Sequence, residues 1–539
     1  MLYAHLNFYM LLILICLFGP VLLLIWGGRA CGLELTGKTL RVGRRALVAL
    51  SVVVAANYLG VIAYYLASPT YLDHVEPTIA ASAYVVNHGQ PLYHSADAGE
   101  RYSLVYGPLS YLPYSLALRL APYGFLTCKL VAALACLLTL VFGILCLKQW
   151  LKGPSLVIAS GMLVALFLAQ GPDAFLVRAD PLLCLCAALG LWAAARAGTA
   201  AAVVLMALAL GAAVNVKVHA PLYFVFPLLL LVQRAGLKAA GGAVLGAGVV
   251  SVLPFLLPHI SLRNWLQVLR VVGGHGFGFE EAIWAVQWFI YLGLFIAGPL
   301  LLLRLVKSSP KPLVSGAEKV CWAGLLLSLA GTLLFASKSG ARPVQWLPFV
   351  PMLLYAAASM IQYTHVEDVV EAFARRPWLQ AAGLAFFLTA LISAGYQEAK
   401  IISSLRQQNP YSRAIYTELG GIMKALPNKT ICMGCGRAES EFISTHFLPL
   451  IFANQPYLLD PVAVMDANVS NLPLANQTRD IIGRKVVDVW LIPKDDPPFG
   501  MLNPFPPHRP LFDAGFQQTF AANYVLSSSS QFFDVYVRR

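Results

Sequence analysis

The chain has 539 residues, of which 59% are hydrophobic and only 12% are charged. Soluble domains contain roughly 45–50% apolar and 25% charged residues, so this composition excludes an ordinary soluble protein. The low charge also excludes a disordered one. Lysine and arginine number 38 against 25 aspartate and glutamate residues, which leaves a net charge of +13. In a chain this apolar, the excess is explained by cytoplasmic loops of a membrane protein, and no nucleic-acid partner is expected.

Twelve apolar runs predict about twelve transmembrane helices. The first two lie at 5–26 and 46–68, and the segment between them carries five Lys and Arg residues, among them Arg44 and Arg45. Because cations beside a span are retained in the cytoplasm, this loop is predicted to lie inside. The other spans are predicted at 125–147, 154–171, 181–196, 200–215, 219–233, 240–258, 284–305, 318–336, 343–361 and 378–396.

The predicted chain has three parts. Residues 1–45 hold an extra N-terminal transmembrane helix and a basic cytoplasmic loop. Residues 46–396 form a transmembrane module with a large outside loop at 69–124. Residues 397–539 alternate helix-like segments with strand-like ones, which indicates an outside α/β domain. The predicted fold class is therefore an α-helical polytopic membrane protein with a C-terminal soluble α/β domain.

Two acidic residues follow the second span directly. Asp73 and Glu76 lie three residues apart, so on a helix they share one face. Carboxylates just above a bilayer are suited to accept a proton from a hydroxyl group or to hold a divalent cation, and the sequence leaves a metal open. The alternative is that Asp73 only caps the next helix, which has Pro77 in its first turn.

Four cations stand in outside turns next to the membrane: Arg178, Lys217, Lys338 and Arg342. If these turns converge above the bundle, the cations form a site for the phosphate of a lipid phosphate, with arginine able to bind it in bidentate fashion. Asp180 and His219 accompany them as candidate substrate-binding residues. The alternative is that each cation separately reaches the lipid head groups.

The outside loop is rich in tyrosine. Tyr93, Arg101, Tyr102 and Tyr106 are candidate substrate-binding residues in a stretch whose tyrosines and prolines suit helices at the membrane interface. Such a layer could admit a lipid-linked substrate from the side, or the rings could be a plain aromatic belt.

One cysteine pair is a weaker candidate for a site. Cys432 and Cys435 form a C-x-x-C sequence in the tail, and no second pair accompanies them there. Zinc is therefore not expected. A disulfide, a structural pair and a redox site stay open.

The order of these features resembles the GT-C-type membrane glycosyltransferases, a superfamily that includes the protein O-mannosyltransferases and the aminoarabinose transferases of lipopolysaccharide. The acidic pair of the first outside loop is followed by Gly89-Gln-Pro-Leu-Tyr93 and by Tyr106-Gly-Pro-Leu-Ser-Tyr111. Asp180, Lys217 and the turn Ala336–Pro343 occupy later positions of the family pattern. The extra first span departs from that pattern, and the spacing of the acidic pair leaves open which carboxylate is the base, with Asp73 slightly favoured.

The resemblance implies transfer of a sugar from a polyprenyl-phosphate donor to a hydroxyl of a glycan, lipid or protein, with inversion at the anomeric carbon. The outer cations would bind the donor phosphate, and Asp73 or Glu76 would be the base. The expected location is the bacterial inner membrane, with the site on the outer face. The alternatives are a flippase or transporter for a lipid-linked sugar, which should carry charges near the bilayer midplane, and a polysaccharide polymerase or ligase.

Overall fold

The computed structural model describes residues 37–102, 104–121, 124–306, 316–363, 377–505 and 508–539. The predicted span at 5–26 lies outside these residues. Up to residue 425, the described helices are α1 (Gly37–Ala67), α2 (Val75–Asn87), α3 (Leu112–Leu120), α4 (Phe125–Leu147), α5 (Gly153–Ala169), α6 (Ala179–Arg196), α7 (Thr199–Val216), α8 (Pro221–Ala235), α9 (Leu237–Val252), α10 (Leu262–Gly273), α11 (Phe279–Val306), α12 (Gly316–Ala336), α13 (Val350–Tyr363) and α14 (Pro377–Ala425).

The predicted helical membrane bundle is confirmed. Each predicted span from 46–68 onward coincides with a helix, and six helices among the described residues are long and apolar enough to cross a membrane. Two shorter apolar helices, α5 and α8, complete the same pattern. Small residues bring the helices together: Gly161 of α5 lies directly against Ser51 of α1, and a side chain at Gly211 of α7 would collide with Val250 of α9.

The large outside loop folds into α2, a 3₁₀ turn at Pro108–Ser110, and α3. Almost every residue of α2 is buried, because the helix lies between α3 and a helix of the tail. Tyr111 and Tyr114 are also buried in protein. The tyrosine-rich stretch therefore differs from the predicted interfacial layer: the folded tail covers it, and the rings pack in the interior.

The tail contains the predicted α/β domain. Its sheet has the order β1-β2-β4-β3, with β1 (Ile431–Met433) parallel to β2 (Val489–Pro493), and with β4 (Phe533–Arg538) antiparallel to both β2 and β3 (Tyr524–Ser529). Strand β3 was not predicted, because five of its six residues are exposed and lack an apolar alternation. The described tail helices are α15 (Glu441–Ser444), α16 (Leu448–Phe452), α17 (Pro461–Val469), α18 (Asn476–Gly483) and α19 (Ala514–Asn523).

One helix joins the two parts. Helix α14 runs for 49 residues from the last predicted span into the tail, so the predicted boundary at 396/397 falls inside continuous helix. Its outer half contacts both the bundle and the tail: the Oγ atoms of Thr70 and Ser412 are 2.9 Å apart, and Ser412 Oγ lies 3.0 Å from Nε2 of His446. The tail is thereby held against the end of the bundle that carries the outside loop.

Candidate active site

Charged residues from four separate loops meet at one end of the bundle. Asp73 Oδ2 accepts hydrogen bonds from Nη1 of Arg178 at 2.7 Å and from Nη1 of Arg342. Arg178 Nε donates to Asp180 Oδ2 at 3.0 Å, and Lys217 Nζ donates to Asp180 Oδ1 at 2.6 Å. These five residues form what we call the outer charge cluster, after the side of the membrane on which the sequence predicts these loops. The predicted convergence of the outside turns is thus present in the structure.

Asp73 uses its two oxygens differently. Oδ1 accepts a hydrogen bond of 2.8 Å from the backbone N–H of Val75 and so starts α2, while Oδ2 receives the two guanidinium groups. The capping role and the membership in a charged site therefore exist together. Although burial opposes ionisation, Arg342 and Arg178 hold the pKa of Asp73 far below its usual range. Asp73 is consequently a carboxylate at physiological pH.

Arg178 is the centre of the outer charge cluster. Its side chain is 5% exposed and lies between the carboxylates of Asp73 and Asp180, with Asp173 Oδ1 at 3.5 Å. Tyr114 donates to its backbone carbonyl at 2.8 Å, which fixes the turn before α6. Although burial disfavours the charge, these carboxylates raise the pKa of Arg178 well above its usual value. Removal of Arg178 would leave Asp73 with Arg342 and Asp180 with Lys217 as the cation that contacts each of them.

Lys217 is placed by the end of α7. It follows the last residue of that helix, and its Nζ lies 5.5 Å from the centre of the Tyr106 ring. The backbone N–H of Gly107 donates to the carbonyl of Val216 at 3.2 Å, and a side chain at Gly107 would collide with the carbonyl of Asn215. Glycine at this position therefore allows the outside loop to reach the helix end and brings Tyr106 to Lys217.

His219 and Lys338 border the cluster on one side, and their charges or dipoles lie near each other and near Lys217. Nε2 of His219 lies 2.9 Å from Oε1 of Gln345, and the imidazole stacks on Phe335 with ring centres 5.2 Å apart. Burial and the nearby charge of Lys217 lower the pKa of His219 to about 4, so the ring is neutral at pH 7. Arg342 is the more open guanidinium, with 31% of its side chain exposed. This side of the cluster presents positive charge to the outside.

Glu76 lies apart from the cations of the cluster. It is fully buried, and its two carboxylate oxygens accept hydrogen bonds from three backbone N–H groups and from the hydroxyl of Tyr65. A carboxylate with four donors inside the protein is poorly placed to approach a substrate. The surroundings of the two acidic residues thus differ in the structure, whereas the sequence only slightly favoured Asp73.

Three predicted substrate-binding residues lie elsewhere. Tyr93 is fully buried and donates to the carbonyl of Tyr106 at 2.7 Å, which supports that loop from behind. The backbone of Arg101 pairs with the tail at Leu459, and the ring of Tyr102 stacks on Tyr457 at 4.7 Å between centres. Arg101 and Tyr102 therefore hold the tail and are not part of the outer charge cluster.

Metal ligation is not a feature of this geometry. Within the described residues, no group of three or more His, Cys, Asp or Glu side chains is arranged to hold a metal ion. The oxygens of Asp73 and Asp180 are already occupied by arginine and lysine. The hydrogen-bond donors of the arginine and lysine side chains suit an anion rather than a cation.

Sequence reasoning missed two charged residues near the site. Lys129, the fifth residue of α4, is fully buried and donates to three backbone carbonyls. A lysine inside an apolar span was the feature that could have drawn attention to it. Asp466 comes from the tail; burial and the neighbouring Asp460 raise its pKa to about 7, and its charge acts on the hydroxyl groups of Tyr106 and Tyr111. No sequence pattern marks Asp466.

Cys432 and Cys435 are buried and not joined in a disulfide. Burial raises the pKa of both thiols well above the usual range, so neither is a reactive thiolate at pH 7. They pack in a hydrophobic cluster of the tail, together with Trp490 and Phe499. Their surroundings are those of small apolar side chains.

Comparison with known structures gives one match to this architecture. The chain is similar to ArnT from Cupriavidus metallidurans, solved with bound undecaprenyl phosphate, at a TM-score of 0.51 and 14% identity over 91% of this chain and 97% of that one. This likeness shows the fold: the chain has the fold of ArnT. No protein-family model and no curated protein matches the sequence significantly. The apolar helices of the described residues support an integral membrane protein.

Proposed function

We propose that this protein transfers a sugar from a polyprenyl-phosphate donor to an acceptor hydroxyl. The observation that carries the proposal is the outer charge cluster, in which Asp73 lies between Arg178 and Arg342 at one end of a GT-C bundle. The undecaprenyl phosphate bound to ArnT supports a lipid-phosphate donor. Lys148, Arg196 and Arg234 occupy the opposite helix ends, which supports a cluster on the outer face of a bacterial inner membrane.

We assign the cations of this site to stabilisation of the leaving group, which is the donor phosphate. When the bond between the anomeric carbon and the phosphate oxygen breaks, its electron pair stays with the phosphate and negative charge develops there. Arg342, Lys338 and Lys217 stabilise that charge as preorganised donors. His219 is neutral and adds a polar group without a competing charge. Arg178 orients the carboxylates around them.

Asp73 is assigned as the general base. The acceptor oxygen attacks the anomeric carbon on the side opposite to the phosphate, so the configuration inverts, and its proton passes to the Asp73 carboxylate. The low pKa of Asp73 makes it a weak base. A weak base suffices because the hydroxyl proton becomes acidic as its oxygen bonds to the anomeric carbon. Glu76 is not assigned to this step, because its carboxyl oxygens already accept four hydrogen bonds from the protein.

Transfer of label tests the proposal. The purified protein is incubated with a polyprenyl-phosphate sugar labelled in the sugar, and glycan, lipid and protein acceptors are supplied in parallel. We expect label to leave the lipid and appear on one acceptor class, and Asp73→Asn to reduce the rate by at least about 100-fold, because general-base catalysis is worth roughly 10²–10⁴.

Asp97→Asn is the matched control, since Asp97 is an exposed aspartate of the same outside loop. It should leave the rate unchanged. Label that stays on the lipid with every acceptor contradicts transfer, and full activity of Asp73→Asn contradicts the assigned base.

A further inference from the structure

A buried lysine binds the backbone carbonyls at and just after the C-terminal end of α1. Lys129 Nζ donates to the carbonyls of Tyr65 at 3.0 Å, Ser68 at 2.7 Å and Thr70 at 2.9 Å. Tyr65 lies in the last turn of α1, and Ser68 and Thr70 follow its end, so the ammonium group uses its three protons on the chain that leaves the helix. The segment that it holds leads directly into Asp73.

Glu76 holds two loops at once. Its Oε1 accepts from the backbone N–H groups of Leu72 at 2.7 Å and Asp73 at 3.2 Å. Its Oε2 accepts from the backbone N–H of Val177 at 3.1 Å and from the hydroxyl of Tyr65. One carboxyl group therefore joins the loop that carries Asp73 to the turn that carries Arg178.

Tyr65 links the two charges. Its carbonyl and the face of its ring contact Lys129, with Nζ 4.0 Å from the ring centre, while its hydroxyl contacts Glu76. Both charges are fully buried. A single buried charge is costly, and each of these two compensates the other across the tyrosine. Removal of one leaves the other without that compensation.

We infer that Glu76 and Lys129 are positioning residues for the transfer reaction, setting the placement of Asp73 relative to Arg178 without touching donor or acceptor. The inference rests on the proposed function. Arg342 and Lys338 belong to the turn after α12, which Glu76 does not contact within the described residues. Displacement of Asp73 should therefore slow the chemical step and leave donor binding largely intact, since a small misplacement of a catalytic group costs rate.

The test compares Glu76→Gln with Glu398→Gln, which changes another buried carboxyl group that lies in α14 away from these loops. For Glu76→Gln we expect kcat to fall at least about tenfold, the donor KM to stay within about threefold, and the residual activity to keep the wild-type pH profile. Glu398→Gln should keep the wild-type kcat. An unchanged kcat in Glu76→Gln, or an altered pH profile of the residual activity, overturns the inference.

A double variant tests whether the two charges stabilise the fold together. Glu76→Gln/Lys129→Gln removes both charges, so its melting temperature should exceed the value expected from adding the effects of the two single variants. A strictly additive double variant contradicts the coupling between the two charges.

Hydrogen–deuterium exchange provides a readout that does not depend on activity. In Glu76→Gln, the amides of 72–73 and 177 should exchange faster than in the wild type, because their acceptor is weakened. Unchanged exchange overturns the inference even where transfer is observed. Faster exchange in a protein without transfer activity would contradict the proposed function alone.

Discussion

Asp73 makes two kinds of contact with one side chain. One oxygen starts α2 through the N–H of Val75, and the other receives Arg178 and Arg342. The two guanidinium groups differ in burial, with 5% of the Arg178 side chain exposed against 31% of Arg342. Arg178 therefore belongs to the interior of the site, whereas Arg342 lies where an anionic ligand can reach it.

Replacement of Arg342 tests this division. We expect Arg342→Ala to raise the donor KM roughly 10- to 100-fold, because a hydrogen bond to a charged group contributes about 1.5–3 kcal/mol. The melting temperature should change little, since Arg178 still compensates Asp73. Transfer kinetics at varied donor concentration provide the measurement.

Arg263→Ala is the control for Arg342→Ala. Arg263 is an exposed arginine of α10. An equal rise of the donor KM in both variants would mean that general surface charge, and not the position of Arg342, attracts the donor.

At the scale of elements, the site depends on how the outside loop meets the end of α7. The loop approaches so closely at Gly107 that its N–H donates to the carbonyl of Val216, and Ser110 Oγ donates to the same carbonyl at 3.2 Å. Both bonds satisfy a carbonyl at the C-terminal end of a helix. Lys217 follows that end, so the same contact places both Lys217 and Tyr106.

Gly107→Ala should disturb this junction. The new methyl group would overlap the backbone carbonyl of Asn215, and overpacking of this kind costs about 1–3 kcal/mol. We expect the loop to shift away from α7 and transfer to fall by at least about tenfold.

Gly60→Ala is the comparison for Gly107→Ala, because a side chain at Gly60 of α1 would meet no atom within 4 Å. Melting temperature and kcat measured on both variants decide the matter. Wild-type values for Gly107→Ala would show that the close approach is not required.

At the scale of the whole molecule, the tail completes the outer end of the bundle. The carboxylate of Asp460 accepts from Thr78 Oγ1 of α2 at 2.6 Å, from the hydroxyl of Tyr457, and from the N–H of Val462 at 2.7 Å. It thus caps α17 and ties that helix to α2. Helix α2 in turn begins two residues after Asp73, whose side chain bonds to its first N–H, so tail docking and site geometry share one element.

Asp460→Ala should loosen the tail. The change removes a helix cap and leaves two buried hydroxyl groups without their acceptor, which together cost about 2–5 kcal/mol. We expect faster hydrogen–deuterium exchange in both α2 and α17, and a lower transfer rate.

Asp513→Ala is the matched variant for Asp460→Ala, because Asp513 caps α19 through the N–H of Phe516 at 2.9 Å and contacts only the tail within the described residues. It should cost about 0.5–2 kcal/mol and leave exchange in α2 unchanged. Equal effects of the two variants on α2 would contradict coupling through Asp460.

The sequence by itself determined the class of the fold. Unbroken apolar runs predicted the helices, since a membrane helix must satisfy its backbone internally and present apolar side chains, and both requirements are local. The cations that stand singly or beside acidic residues predicted Arg178, Lys217, Lys338 and Arg342 as a separate group. The structure brings Arg178, Lys217 and Arg342 together around two carboxylates. Strand β3 was not predicted from the sequence, because its exposed side chains leave no periodic pattern.

Only the tertiary structure decided which charged residues meet. Asp73 and Glu76 look alike in sequence, yet one faces two guanidinium groups and the other faces backbone N–H groups. Besides local partners, Asp73 meets Arg178 and Arg342, and Glu76 meets Val177, all more than 100 residues away along the chain. Such pairing depends on how helices pack rather than on local pattern. The same holds for Lys129, whose charge is tolerated inside an apolar helix because three carbonyls of another helix end surround it.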